Sequence, residues 1–199
     1  MIPVLLLAAS LAAGQAAPTA EVEGVLFAPN VPMSGAVVSL VPVTGGDHPE
    51  GLPPDTTVMD QQRLRFMPSV LVGRPGLVVE FRNGDPILHN VFSPPRPGPG
   101  FNLGTYGRTE RRARTFLELG AHTILCHIHP EMVAYVVIVP TTLHVLSDRR
   151  GQFRFAQVPP GTYDLQVWHP FVRPFTRRVT VPPGDRLSLT IDLEPSGRY

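Results

Sequence analysis

The 199-residue sequence contains one cysteine, Cys126, and no lysine; all 17 basic side chains are arginine. A single cysteine excludes an internal disulfide, so packing and hydrogen bonding must hold the fold without one. Charged residues make up only 17% and the formal net charge is +1, which excludes nucleic acid as the main electrostatic partner. No stretch shows a sustained helical period, and no apolar run reaches the roughly 20 residues that a membrane-crossing helix needs. What is present is rich in turn formers, with 24 Pro and 18 Gly beside 43% hydrophobic residues. That composition is too apolar for disorder and too interrupted for a helical bundle, and it predicts an all-β protein.

The longest apolar run, residues 2–13, has the length of a secretory signal and is followed by Gly14-Gln15-Ala16-Ala17. Residues 1–17 are therefore expected to be a signal peptide, which places the mature chain in the periplasm or outside the cell. A membrane is implied only if that segment is retained as an anchor. Downstream, alternating or β-branched runs between Pro and Gly turns predict strands at residues 21–27, 36–43, 77–82, 123–126, 133–139, 152–155, 162–167, 177–181 and 187–193. Turn chemistry changes near residue 148, where Asp148-Arg149-Arg150-Gly151-Gln152-Phe153 is followed by Pro159-Pro160-Gly161-Thr162-Tyr163. Gly151 suits a tight hairpin, and the two prolines stop the preceding strand. This stretch resembles the carboxypeptidase-regulatory-like or transthyretin-like β-sandwich family, whose opening strands have counterparts far upstream in Gly24-Val25 and Gly35-Ala36-Val37-Val38. The resemblance implies a discontinuous sandwich of residues 21–46 and 141–195, with a second domain at 52–140 inserted through a surface loop. Three consecutive units, with 21–46 as an added edge, are the alternative.

The strongest local signal is Cys126-His127-Ile128-His129-Pro130-Glu131-Met132. A thiolate, an imidazole and a thioether within seven residues, directly after a strand, form a copper-preferring set because soft sulfur suits Cu(I) and imidazole suits both oxidation states. A further imidazole completes a trigonal His2Cys plane with a long axial Met, and His89 in Leu88-His89-Asn90-Val91 supplies it. The pair His-Asn-Val and Cys-x-x-His-Pro-x-Met resembles the amicyanin type of the cupredoxin family, over roughly residues 60–139. The resemblance implies a Greek-key β-sandwich holding one copper ion through His89, Cys126, His129 and Met132. It also implies that Asn90 ties the two ligand loops together by hydrogen bonding. Glu131 and Ile124 depart from the family pattern; the first puts the usual apolar docking patch in doubt.

The implied activity is single-electron transfer by cycling between Cu(I) and Cu(II), with no catalytic residue and with His129 as the electron port. The partner is then a redox protein, whether dehydrogenase, oxidase or cytochrome. Phe92, Phe101 and Val133 are candidates for the apolar shell around the metal. His127 alternates with Cys126 and should point to the opposite face, with a role as replacement ligand the lesser reading. His48, His122, His144 and His169 have no partners at ligand spacing and read as surface or strand residues. Met59 and Met67 read as core fillers, and Trp168 as packing at a strand end or as an aromatic binding face. The cluster Arg108, Arg111, Arg112 and Arg114 fits a solvated strand edge or a steering surface for an acidic partner. The combination of domains resembles proteins described as methylamine-utilisation-like. Copper storage or delivery without redox cycling, and a metal-free binding module, are the rival functions; scattered Met and a single Cys argue against storage.

Overall fold

The computed structural model describes residues 17–29, 31–44 and 55–197, so the expected signal at 1–17 lies almost wholly outside the described residues. Every regular element described is a strand. In chain order these are β1 Ala20–Phe27, β2 Val37–Pro42, β3 Thr56–Gln61, β4 Phe66–Met67, β5 Val70–Gly73, β6 Leu77–Asn83, β7 His89–Ser93 and β8 Phe101–Tyr106. They continue with β9 Arg111–Phe116, β10 Gly120–Leu125, β11 Val133–Ile138, β12 His144–Leu146, β13 Gln152–Val158, β14 Gly161–Trp168, β15 Phe175–Val181 and β16 Arg186–Asp192. No helix among the described residues is long and apolar enough to cross a membrane.

The strands form four sheets around two cores. One pair of sheets, ordered β13-β1-β16 and β12-β2-β14-β15, encloses Val22, Leu26, Leu40, Leu165 and Ile191. The other pair, β5-β11-β10-β7-β8 and β4-β3-β6-β9, encloses Met59, Phe81, Val91, Ile124 and Met132. The chain leaves the first pair after β2 and returns to it at β12, which lies antiparallel to β2 with His144 opposite Ser39. Its points of departure and return are therefore neighbours. A third, smaller cluster of Val37, Val137 and Val139 joins the two units, capped by the ring of Trp168 edge-on to Tyr135 at 5.1 Å.

The alternation of the sequence explains most of this. In β14 the inward positions Tyr163, Leu165 and Val167 are buried while their neighbours are partly exposed, as a two-residue period requires. β6 alternates in the same way through Leu77, Val79 and Phe81. Strands β3, β8 and β9 were not legible as strands because polar and charged residues occupy their outward positions. Met59 is fully buried as expected, but Met67 is 51% exposed and fills no core. The arginines of β9 stand on a sheet edge: Arg112 pairs with Glu110 at 3.0 Å and lies over the Tyr106 ring, while Arg114 lies over Phe101.

A buried polar network stiffens the second unit. The Gln61 side-chain amide donates to the Arg82 carbonyl at 2.9 Å and to the Tyr106 hydroxyl at 2.8 Å, and that hydroxyl donates to the Phe81 carbonyl. Burial pushes the Tyr106 phenol well above its ordinary range, so it stays protonated and can donate. A Tyr106→Phe variant leaves the Gln61 amide with one partner fewer in a dry core. We expect it to lose about 1–3 kcal/mol of stability in urea unfolding.

In the first unit Glu21 of β1 lies between Arg154 at 2.7 Å and Arg186 at 3.6 Å. The hydrogen bond from Arg154, with the charge of both arginines, holds its carboxyl below the ordinary 4.5 although burial pushes the other way. Because the folded value is the lower one, this contribution is present above pH 4.5 and is lost as pH falls through the folded value. Glu21→Gln should flatten the acid limb of a plot of Tm against pH.

Candidate metal centre

The candidate ligands come from two adjacent strands of the five-stranded sheet. β7 and β10 pair antiparallel, with Leu125 opposite Phe92. This register brings His89, at the start of β7, beside the segment that follows β10. Cys126 leaves that strand, and the loop folds back so that the Met132 amide donates to the His129 carbonyl at 3.0 Å. The loop then enters β11 immediately. Cys126, His129 and Met132 are thus held by a single short turn between paired strands.

His89 and Met132 are fully buried and Cys126 is 4% exposed, while His129 is only partly covered. His89 Nδ1 lies 3.0 Å from His129 Nδ1, and Cys126 Sγ lies 3.9 Å from His129 Nδ1. The donor atoms of His89, Cys126 and His129 all fall within 4.8 Å of one another. Two ring nitrogens this close must share a proton or turn both lone pairs toward one cation. Donors bound at about 2.0–2.3 Å to a common ion are separated by roughly 3–4 Å; the His89–His129 and Cys126–His129 separations fall in that range, and the His89–Cys126 pair would have to close to share the ion. Met132 belongs to the same core cluster as Cys126, which keeps its thioether out of water on that side. Soft thiolate and thioether with two imidazoles suit copper best among the common metals.

The surroundings differ from expectation in the apolar shell. The Asn90 side chain does not reach the 126–132 loop; its amide donates to Asn102 Oδ1 at 2.8 Å, and its own Oδ1 is buried without a hydrogen-bond partner. Asn90 does tie the two candidate ligand segments together, through its backbone amide, which donates to Cys126 Sγ at 3.4 Å. Of the shell residues, Val133 is 39% exposed and Phe101 packs on Phe116, so Val91, Tyr106, Ile124 and Met132 do the enclosing. His127 is exposed and its ring stacks flat on Phe92 at 3.6 Å. Among the other histidines, His122 is buried on β10 and bonded to the Glu118 carbonyl, and Trp168 packs at the junction of the two units.

Sequence reasoning missed Asp85. Its Oδ2 lies 2.9 Å from His89 Nε2, on the far side of the ring from the other donors. The Arg63 and Leu64 amides donate to the same carboxylate at 2.7 and 3.0 Å. Burial pushes this carboxyl upward, but the two amides and His89 outweigh it and the net shift is downward. The signal available was a carboxylate four residues before a ligand histidine, which has no meaning until the loop conformation is known.

The carboxypeptidase regulatory-like domain model matches residues 132–194. The match takes in β11 and β12–β16 but not β1 and β2, which complete the sheets those later strands form. No curated protein matches the chain. Among solved structures, amicyanin from Paracoccus versutus (Thiobacillus versutus) is 20% identical over 54% of this chain and all of that one, with a TM-score of 0.40. A purple cupredoxin from Nitrosopumilus maritimus is 22% identical over 43% of this chain and 99% of that one, with a TM-score of 0.37. A variant amicyanin in its Cu(I) form is 22% identical over 42% and 82% of the two chains, with a TM-score of 0.39. The chain is therefore an all-β protein in which residues 132–194 match the carboxypeptidase regulatory-like domain, and the donor cluster of His89, Cys126 and His129 lies upstream of that match.

Proposed function

We propose that this protein is an exported blue-copper electron carrier in which His89, Cys126 and His129 would hold the metal with Met132 as the thioether ligand. The observation that carries the reading is the convergence of two imidazole nitrogens, 3.0 Å apart, and the buried Cys126 sulfur on one point. Copper bound there would supply a one-electron couple. The residues do the rest: paired strands hold the donors in place, so little reorganisation accompanies a change of charge, and the buried core side excludes water. His129 is the partly exposed donor, and Ile87, Leu88, Ile128 and Val133, all between 39 and 58% exposed, come from the two ligand-bearing loops and the first residue of β11. An apolar rim of this kind fits docking by a redox protein, whether dehydrogenase, oxidase or cytochrome.

The domain division belongs to this proposal. Residues 21–46 and 141–195 would make the sandwich that carries most of the regulatory-like match, and 52–140, which takes in the start of that match, the copper domain; residues 45–54 lie outside the described residues. A periplasmic or secreted location accords with a signal at 1–17 and with a lone cysteine committed to metal. Adding one equivalent of Cu(II) to the purified mature chain should produce an intense visible band from thiolate-to-copper charge transfer, reversibly bleached by reductant. Binding of Cu(I) alone, without the band, would replace electron transfer with copper storage or delivery; no binding at all would leave a metal-free module.

A further inference from the structure

Asp85 is anchored on several sides. Its backbone amide donates to Asn83 Oδ1 at 3.0 Å, and Asn83 in turn donates to the Ile87 and Tyr106 carbonyls, which sets the 83–88 loop. Its carboxylate accepts the successive amides of Arg63 and Leu64. Those two residues form the tight turn between β3 and β4, closed by Gln62 N to Arg65 O at 2.9 Å and by the reverse bond at 3.1 Å. Both have positive φ, 53° and 59°, where Asn-Gly is the usual choice and a bulky side chain is costly. Two successive amides in this conformation make an anion-binding concavity, and Asp85 fills it. The remaining valence of the carboxylate points at His89 Nε2, a fully buried ring whose other nitrogen faces His129.

We propose that Asp85 is a positioning residue of the copper centre: it holds the proton on His89 Nε2, so that Nδ1 keeps its lone pair for the metal, and its charge favours Cu(II) over Cu(I). The inference rests on the copper reading above and deepens it. An ionised carboxylate raises the basicity of the imidazole it accepts from, and a negative charge at this distance stabilises the ion of higher charge. Because the turn holds the carboxylate in place, His89 needs no rearrangement to present Nδ1.

Asp85→Asn retains the shape and an acceptor oxygen but removes the charge. In the copper-loaded full chain the visible band should survive, while Cu(II) affinity relative to Cu(I) falls about tenfold, a rise of about 59 mV in reduction potential. Asp85→Ala removes the acceptor as well, and in the Cu(I) protein the His89 Nε2–H proton should lose its protection from solvent exchange by NMR. A merely structural Asp85 would lower Tm in both variants while leaving the potential and the Nε2 proton as in the parent protein, which would overturn the inference alone. A parent protein that takes up Cu(II) without the band overturns the copper reading and this inference with it.

Discussion

A Cys126→Ser protein should fold, bind copper weakly and remain colourless. The band expected of the parent arises from the thiolate, so no other donor can replace it, and a hydroxyl oxygen is a hard ligand that offers Cu(I) little. The loss of affinity should exceed the roughly 10–100-fold typical of removing a group that only supports a ligand. Stability should change far less. Cys126 is 4% exposed and packs with Val91, Ile124 and Met132, and serine nearly matches its shape. The Asn90 amide, which donates to Sγ at 3.4 Å, keeps an acceptor in the new hydroxyl. A cost of about 1–2 kcal/mol in the metal-free protein is expected. Visible spectroscopy with a competing chelator checks the first statement, and denaturant unfolding of the apo form checks the second. A coloured Cys126→Ser protein would show that the thiolate is not a ligand.

The largest effect on folding should come from Gly151→Val. Gly151 has φ of 73°, and a Cβ there would press on the Leu26 carbonyl and lie 3.0 Å from the Met33 amide. Both are backbone groups engaged in pairing: Leu26 N donates to Gly151 O, and Met33 N donates to Leu26 O, each at 2.9 Å. A left-handed conformation costs a β-branched residue about 1–2 kcal/mol, and forcing extra volume against fixed backbone costs about 1–3 kcal/mol more. We expect a loss of about 2–5 kcal/mol, read as a lower urea midpoint at unchanged m. Gly35 is the control, since its φ is also 73° but nothing lies within 4 Å of a Cβ there. Gly35→Ala should show the conformational cost without the collision, and equal losses at the two positions would remove the steric argument.

The same turn shows how sequence and structure divided the work. Asp148-x-x-Gly151 announced a tight turn, and Asp148 Oδ1 does accept the Arg150 and Gln152 amides at 2.8 Å. The strands it joins nevertheless do not pair with each other. β12 lies on β2 and β13 on β1, so the turn is a corner between two sheets, not a hairpin. Local residues specify a reversal of direction; the burial of Phe153 and Phe155 on one core and the pairing of His144 with Ser39 decide which partners the strands find. Gly161, at the next reversal, has no positive φ.

The candidate donor residues were legible in the sequence itself. Cys126, His129 and Met132 lie in one seven-residue turn, so strand and loop lengths alone bring them together, and His89 followed from the need for a second imidazole. Periodicity likewise sufficed for β1, β6 and β14, whose alternating residues admit one buried face. Only the tertiary structure decided the rest. Asp85 meets Arg63 and Leu64 across 22 and 21 residues, and Asn90 bonds Asn102 through its side chain while its backbone amide meets Cys126. The parallel pairing of β1 with β16 spans nearly the whole chain. Hydrogen bonds of this kind carry no local pattern, because a carboxylate or an amide accepts many partners equally well. Strand pairing and core packing choose among those partners, and that choice is made by the whole chain at once.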